Sequence, residues 1–483
     1  MEHRDARRWR DRLFRLLELI YTRNLEDEHL AAPEPIRLLD PLFTTDAMRH
    51  VFSDQQQLQC MLDFEAALAR ALAGIGIAPR GVIVPIESQC HAELFDVESL
   101  ARAAALSGNV AIPLVKALTE SVAKSDAHAA TFVHWGATSQ DAIDTGMVLQ
   151  FREGLDLFDR DLADISTSLA HLAAAHKSTL IPGRTWLQQG PPVTFGLKAA
   201  GWLAAIDRQR DRLTDARKQV LVLQFGGAVG TLAAVGDRGL DLAATLAREL
   251  KLDLPELPWH SHRDRMAEVA ASLGLLVGSL GKIARDISLM SQTEVDEVQE
   301  PSGPGRGGSS TMPHKRNPVG SAVILAAALR VPGLVSTVLA GMVQEHERGL
   351  GGWHAEWETL PEIFRLTAGA LAQMKQIVGG LEIHSDKMLQ NANLTHGLVL
   401  AEAVAFALRE RMGKEKSHQV VEEAVRRAVQ DGRDFADVLL SDPDVSNHLS
   451  RAELSRLLNP GKYLGSAVEM IENVLSARNG AKK

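Results

Sequence analysis

The chain has 483 residues, 23% of them charged and 45% hydrophobic, with a formal net charge of −9. That length allows two or three domains with large cores, the mixture argues against a disordered chain, and the acidic balance argues against a nucleic-acid partner, which needs clustered basic charge. Two cysteines, Cys60 and Cys90, are too few for a disulfide framework or a metal cluster, and the 17 histidines show no paired ligand spacing, so a reduced cytoplasmic protein without a metal is expected.

Residues 1–36 mix Arg4, Arg7, Arg8, Arg10, Arg12 and Arg15 with Glu2, Asp5 and Asp11. The acids argue against a transit peptide and no apolar signal core follows, so the stretch reads as a helical extension. No apolar run approaches the length of a membrane span, and no membrane partner is expected. A helical domain is expected over 37–127, a larger one of long helices over 128–372, and a third over 373–483. Apolar residues three or four apart mark helices from Asp141 to Ala175, Val193 to Leu213, Val319 to Glu345 and Glu356 to Val378. The clearest stripe joins Met266, Val269, Leu273, Leu276, Leu280, Ile283, Ile287 and Met290. Such stripes on more than one face need neighbours, which other copies of the chain could supply. Turn-rich punctuation falls at Ile181–Pro192, Pro255–His262, Pro301–Pro318 and Gly349–Trp353, and the first of these reads as an interhelical turn.

Three loop segments concentrate polar residues. In HWGATSQDAIDT, His134 to Thr145, the run Thr138 to Asp141 is a helix start with a hydroxyl cap and an early acid, and the free N–H groups of such a start also suit an anion. His134 beside Trp135 reads as a structural residue. In IPGRTWLQQGPP, Thr185, Trp186 and Gln188 stand between Gly/Pro breakers. In GGSSTMPHKRNPVG, Gly307 to Gly320, a phosphate-binding loop fails on spacing, because Ser309 follows Gly308 and no lysine comes before Lys315.

The segments HWGATSQD, GRTWLQQ and GGSSTMPHKRNP resemble, in order and separation, the three signature regions of the fumarase/aspartase superfamily, which includes adenylosuccinate and argininosuccinate lyases. The resemblance covers roughly residues 38–483. It is strongest to the lactone-forming cycloisomerases, from RLLDPLFTTDAMR near residue 37 through EHERGLGGWHAEWETLPE at Glu345 to Glu362. It implies an all-α fold of three helical domains, with a long central bundle forming the core of a homotetramer, active sites shared between subunits, a small polycarboxylate substrate and no cofactor. It also implies a mobile third segment whose base is Ser309, with Ser310 the neighbouring candidate. Removing a proton next to a carboxylate loads that carboxylate with charge, which calls for fixed donors and a cation. Lys315 and Asn317 fit those roles, with Thr138, Ser139 and Thr185 as further donors. Gln188, Ser310 and Met312 complete the expected binding set, and Arg348 is the candidate for a second carboxylate.

Two positions depart from the superfamily pattern. Trp186 stands where amine-releasing lyases carry the histidine that protonates the leaving group, and Ala322 stands where they carry its glutamate partner. An amine would stall without that acid, whereas a carboxylate of pKa ~4 leaves unaided. Lactone opening expels a carboxylate, and Trp186 would then serve as an apolar wall. Loss of nitrite from nitrosuccinate tolerates the same two changes. An adenylosuccinate-type lyase and a catalytically silent homologue fit less well.

Overall fold

The computed structural model describes residues 36–303, 307–308, 311–312 and 314–480. The arginine-rich stretch read as an extension lies outside the described residues, apart from Ile36. The described chain is mostly helix, as expected. Helix α1 spans Asp54–Gly74 and starts at Ser53, whose hydroxyl accepts from the Gln56 amide at 3.1 Å. Five long helices then build the bundle: α2 (Ser139–Ala175), α3 (Phe195–Val220), α4 (Asp264–Met290), α5 (Val319–Ala340) and α6 (Gly352–Gly380).

The predicted stripe of α4 is the centre of the core. Met266, Val269, Leu273, Leu276, Leu280, Ile283 and Ile287 are all at most 1% exposed. Each such side chain, fully buried, contributes about 1.5–3 kcal/mol. Helices α2 and α6 are joined by stacked rings, with Phe151 and Phe364 at 4.7 Å and 12°. Helix α5 stops at Ala340, short of the expected Glu345, because Gly341 and the turns behind it break the pattern.

The segment expected as a plain interhelical turn is instead an antiparallel hairpin, β1 (Leu180–Thr185) with β2 (Gln188–Thr194). Trp186 and Leu187 form its two-residue tip with φ of +53° and +65°, the left-handed pair that a tight hairpin requires and that bulky residues seldom adopt. Gly183 is needed here, since a Cβ would lie 2.4 Å from the Pro191 carbonyl oxygen. A second small pair joins β3 (Val298–Gln299) to β4 (Glu382–Ile383).

The bundle has two poles. Arg263, just before α4, binds Asp144 near the start of α2 and Glu356 near the start of α6. At the opposite pole Glu297, just after α4, binds Arg184 in the hairpin that follows α2. Helix α4 has 27 residues, so the poles are ~40 Å apart.

One exclusion from the sequence needs correction. Helix α5 has 22 residues and an 18-residue stretch of mean hydropathy 2.0, long and apolar enough to cross a membrane by length and composition, as is α4. Helix α4 is largely buried in its own chain, but α5 exposes Leu329 (82%), and Val343 follows at 87%. Beyond α6, which runs through the expected boundary at residue 372, a second core gathers Val404, Leu408, Val421, Phe435, Leu439 and Leu454. The last helix, Ala467–Gly480, returns to pack on α3.

Candidate active site

At the first pole the chain behaves as its sequence predicts. Thr138 caps α2, and its amide donates to Asp141 Oδ2 at 3.0 Å. Asp141 is fully buried and also accepts from Gly226 N (3.1 Å), Gly227 N (2.9 Å) and Gln224 Nε2 (3.1 Å), with His260 Nε2 at 2.7 Å. The cap is therefore fixed by a loop more than eighty residues away, and Thr138 and Ser139 stand half-buried on a rigid helix start. Arg348 reaches the same spot and donates from Nη1 to Thr138 Oγ1 at 2.7 Å. A guanidinium, a hydroxyl and a helix N-terminus converge there, which is the chemistry of a carboxylate site.

His134, expected as a structural residue, is held by Glu65. Its Nδ1 lies 2.6 Å from Glu65 Oε1, and its amide donates to Oε2 at 3.1 Å. Burial opposes its charge, but the Glu65 carboxylate prevails and raises the His134 pKa.

The other expected residues that are described lie at the second pole. Thr185, Trp186 and Gln188 are exposed at the hairpin tip, Trp186 at 97%. The tryptophan expected as a pocket wall thus stands clear of the described residues of its own chain. Arg184 anchors the hairpin through a two-point bond to buried Glu297, at 2.6 and 2.9 Å, and Asn391 adds a bond of 2.9 Å to the same carboxylate. The third segment is pinched at its base, where the Asn317 amide donates to the Gly307 carbonyl at 2.9 Å. Gly307 has φ +69°, and a Cβ there would lie 2.8 Å from the Asn317 carbonyl oxygen. Arg316 fixes the same base to Glu382 at 2.7 and 2.9 Å. Glu300 caps α5, accepting from Gly320 N (3.0 Å) and Ser321 N (2.7 Å). Lys315 and Met312 are exposed and Asn317 is half-buried. Ser309 and Ser310 lie outside the described residues.

One chain therefore brings Thr138, Ser139 and Arg348 together, and sets Thr185, Trp186, Gln188, Met312, Lys315 and Asn317 at the far end. The cavity beside Asn317 measures about 20 Å³, too small for a polycarboxylate. Cavities of about 480 Å³ beside Arg365 and 490 Å³ beside Trp357 are lined by none of the expected residues.

Sequence reasoning missed the buried support of the first pole. Arg263 is wholly buried and donates to Asp144 (2.7 and 3.1 Å) and to Glu356 (2.5 to 3.2 Å). Asp144 also accepts from the indole of Trp353 at 2.9 Å. These partners lie 93 to 209 residues apart, so no local pattern announces them.

A family model described as Lyase matches residues 42–333, and one described as Adenylosuccinate lyase C-terminus matches residues 397–474. The chain belongs to this lyase family, the fumarase/aspartase-like fold expected from its three segments, and it is an enzyme. Among its relatives, a 3-carboxy-cis,cis-muconate cycloisomerase of Pseudomonas aeruginosa is 57% identical over 440 residues, 91% of this chain and 96% of that protein. The crystal structure of the 3-carboxy-cis,cis-muconate lactonizing enzyme from Pseudomonas putida superposes with a TM-score of 0.89 at 52% identity, covering 93% of this chain and all of that one. A nitrosuccinate lyase of Streptomyces davaonensis is 39% identical over 460 residues, 94% of this chain and 97% of that protein.

Proposed function

We propose that the protein is a 3-carboxy-cis,cis-muconate cycloisomerase, a cytoplasmic enzyme of protocatechuate breakdown that interconverts its tricarboxylate with the corresponding carboxymuconolactone. The observation that carries this reading is the 57% identity to a cycloisomerase over nearly the whole of both chains, against 39% to the nitrosuccinate lyase. The residues agree with it. Trp186 and Ala322 replace the acid and its partner that an amine leaving group would need, and a carboxylate needs neither.

In the lactonising direction one substrate carboxylate adds to the diene and Ser309 returns a proton to the neighbouring carbon. In reverse, Ser309 takes that proton and the carboxylate leaves with the C–O electron pair. A serine base needs its alkoxide stabilised, which the Lys315 charge and the amides of the glycine-rich turn supply. Arg348, with Thr138 and Ser139 at the start of α2, holds a second carboxylate. Thr185, Gln188, Ser310, Met312 and Asn317 complete the site.

Because the segments stand at opposite poles of one chain, this site is assembled between copies. The exposed apolar side of α5, with Leu329 and nearby Val343, supports a homotetramer in which neighbouring bundles cover it. The separate core from Val404 to Leu454 supports a third domain, within a division at 37–127, 128–372 and 373–483.

Proton NMR of a reaction in D2O tests the assignment. It should show one lactone with a single deuteron next to the new C–O bond. Unchanged 3-carboxy-cis,cis-muconate beside rapid consumption of nitrosuccinate would replace this substrate with the alternative.

A further inference from the structure

The Arg348 guanidinium has a second neighbour besides Thr138. Its Cζ stands 5.8 Å from the centre of the Trp353 ring, within the range of a cation–π contact. That indole is held firmly in place. Trp353 is 4% exposed, its Nε1 donates to Asp144 Oδ1 at 2.9 Å, and Trp357 meets it edge-on at 4.8 Å and 85°. Asp144 in turn belongs to a buried group of two carboxylates, its own and that of Glu356, around the single guanidinium of Arg263.

This arrangement has an electrostatic direction. The indole gives its N–H to a buried carboxylate, which pushes electron density toward the ring. The Asp144, Arg263 and Glu356 group, two carboxylates to one guanidinium, meets the indole at its N–H edge, and Arg348 lies over the ring face. Both effects draw the guanidinium toward the Trp353 face. The hydroxyl of Thr138 then fixes its rotation, leaving the remaining N–H groups for a ligand. A guanidinium held from two sides loses less side-chain freedom when it binds a carboxylate.

We infer that Trp353 is a positioning residue: anchored by Asp144, it sets the Arg348 guanidinium at the start of α2 and so governs how tightly a substrate carboxylate is held. The inference rests on the reading of Arg348 as a carboxylate ligand. It assigns the first tryptophan of the GWHAEW run to substrate affinity and not to packing alone.

A double-mutant cycle on Trp353→Phe and Arg348→Ala tests it, with steady-state kinetics on 3-carboxy-cis,cis-muconate and a thermal melt for each variant. Phenylalanine keeps a ring but loses the N–H anchor and the stronger indole face. Trp353→Phe should raise KM about threefold to tenfold, the order expected of a cation–π contact, and leave kcat within about twofold. In the Arg348→Ala background the same change should have almost no effect on KM, because the group being positioned is gone. Equal KM effects in both backgrounds, or a fall in kcat at constant KM, would overturn the inference. If Arg348→Ala itself leaves KM unchanged, the reading of Arg348 fails and the inference falls with it. If Arg348→Ala raises KM but Trp353→Phe does not, only the inference falls. Trp353→His, which retains a ring N–H facing Asp144, should recover part of the affinity if the anchor matters, and its failure to do so in a folded variant would count against the Asp144 link.

Discussion

Arg348 donates to Thr138 Oγ1 across 210 residues of sequence, and this bond joins a loop after α5 to the cap of α2. It holds a guanidinium at a helix start, the geometry behind the proposed carboxylate site. Arg348→Ala should lower kcat/KM about 10- to 100-fold, the 1.5–3 kcal/mol expected of a hydrogen bond to a charged group. Thr138→Val, which removes only the neutral partner, should cost about tenfold or less. Steady-state kinetics on both variants checks the order, which a purely structural Arg348 would not produce.

Arg263 is paired with two carboxylates and wholly out of water. Arg263→Met leaves Asp144 and Glu356 buried without a counter-charge. Removing one partner of a buried ion pair costs about 3–5 kcal/mol, so this variant should be recovered largely unfolded. Arg263→Lys should be nearly as poor, because one ammonium cannot reproduce the forked bonds to both acids. Urea melts followed by circular dichroism measure the loss, and wild-type stability in Arg263→Met would refute it.

The His134 pKa is raised in the folded chain, so folding favours the imidazolium beside Glu65. The stabilisation is complete below the ordinary value of 6.5 and disappears as pH rises through the raised one. Melting temperature should therefore decline on going from about pH 6 to pH 9, and Glu65→Gln should flatten that decline. An identical pH profile in the variant would show that the pair contributes nothing.

Assembly should be as necessary as any side chain. Leu329→Asp places a charge on the exposed apolar side of α5, and sedimentation should then show smaller species with little activity. Mixing Ser309→Ala with the weakened Arg348→Ala after mild dissociation should give more activity than the two parents together, since some reassembled sites draw intact residues from each parent. An active monomer, or no recovery from well-reassembled mixtures, would refute a shared site.

How much of this the sequence announced depends on the range of the interaction. The α4 stripe and the Thr138 cap are local, set by helical period and first-turn chemistry, and both are where the residues place them. The hairpin at Leu180–Thr194 was hidden because its strands are rich in Gly, Pro and Gln and its tip carries Trp186 and Leu187 in place of Asn-Gly. The Arg263 and Asp141 networks were hidden for a different reason, since their partners come from distant segments and a buried charge has no periodic signature. Sidedness was the least visible feature. The three segments look adjacent in function, yet Arg348 and Lys315 belong to opposite ends of one bundle.

The most direct test of the account is the ultraviolet absorbance of the diene when wild-type protein and Ser309→Ala each meet 3-carboxy-cis,cis-muconate with no metal or cofactor added. Rapid loss of absorbance is expected with the wild type and near-complete retention with the folded variant. Steady absorbance with both would contradict the substrate assignment, and equal loss with both would contradict the serine base.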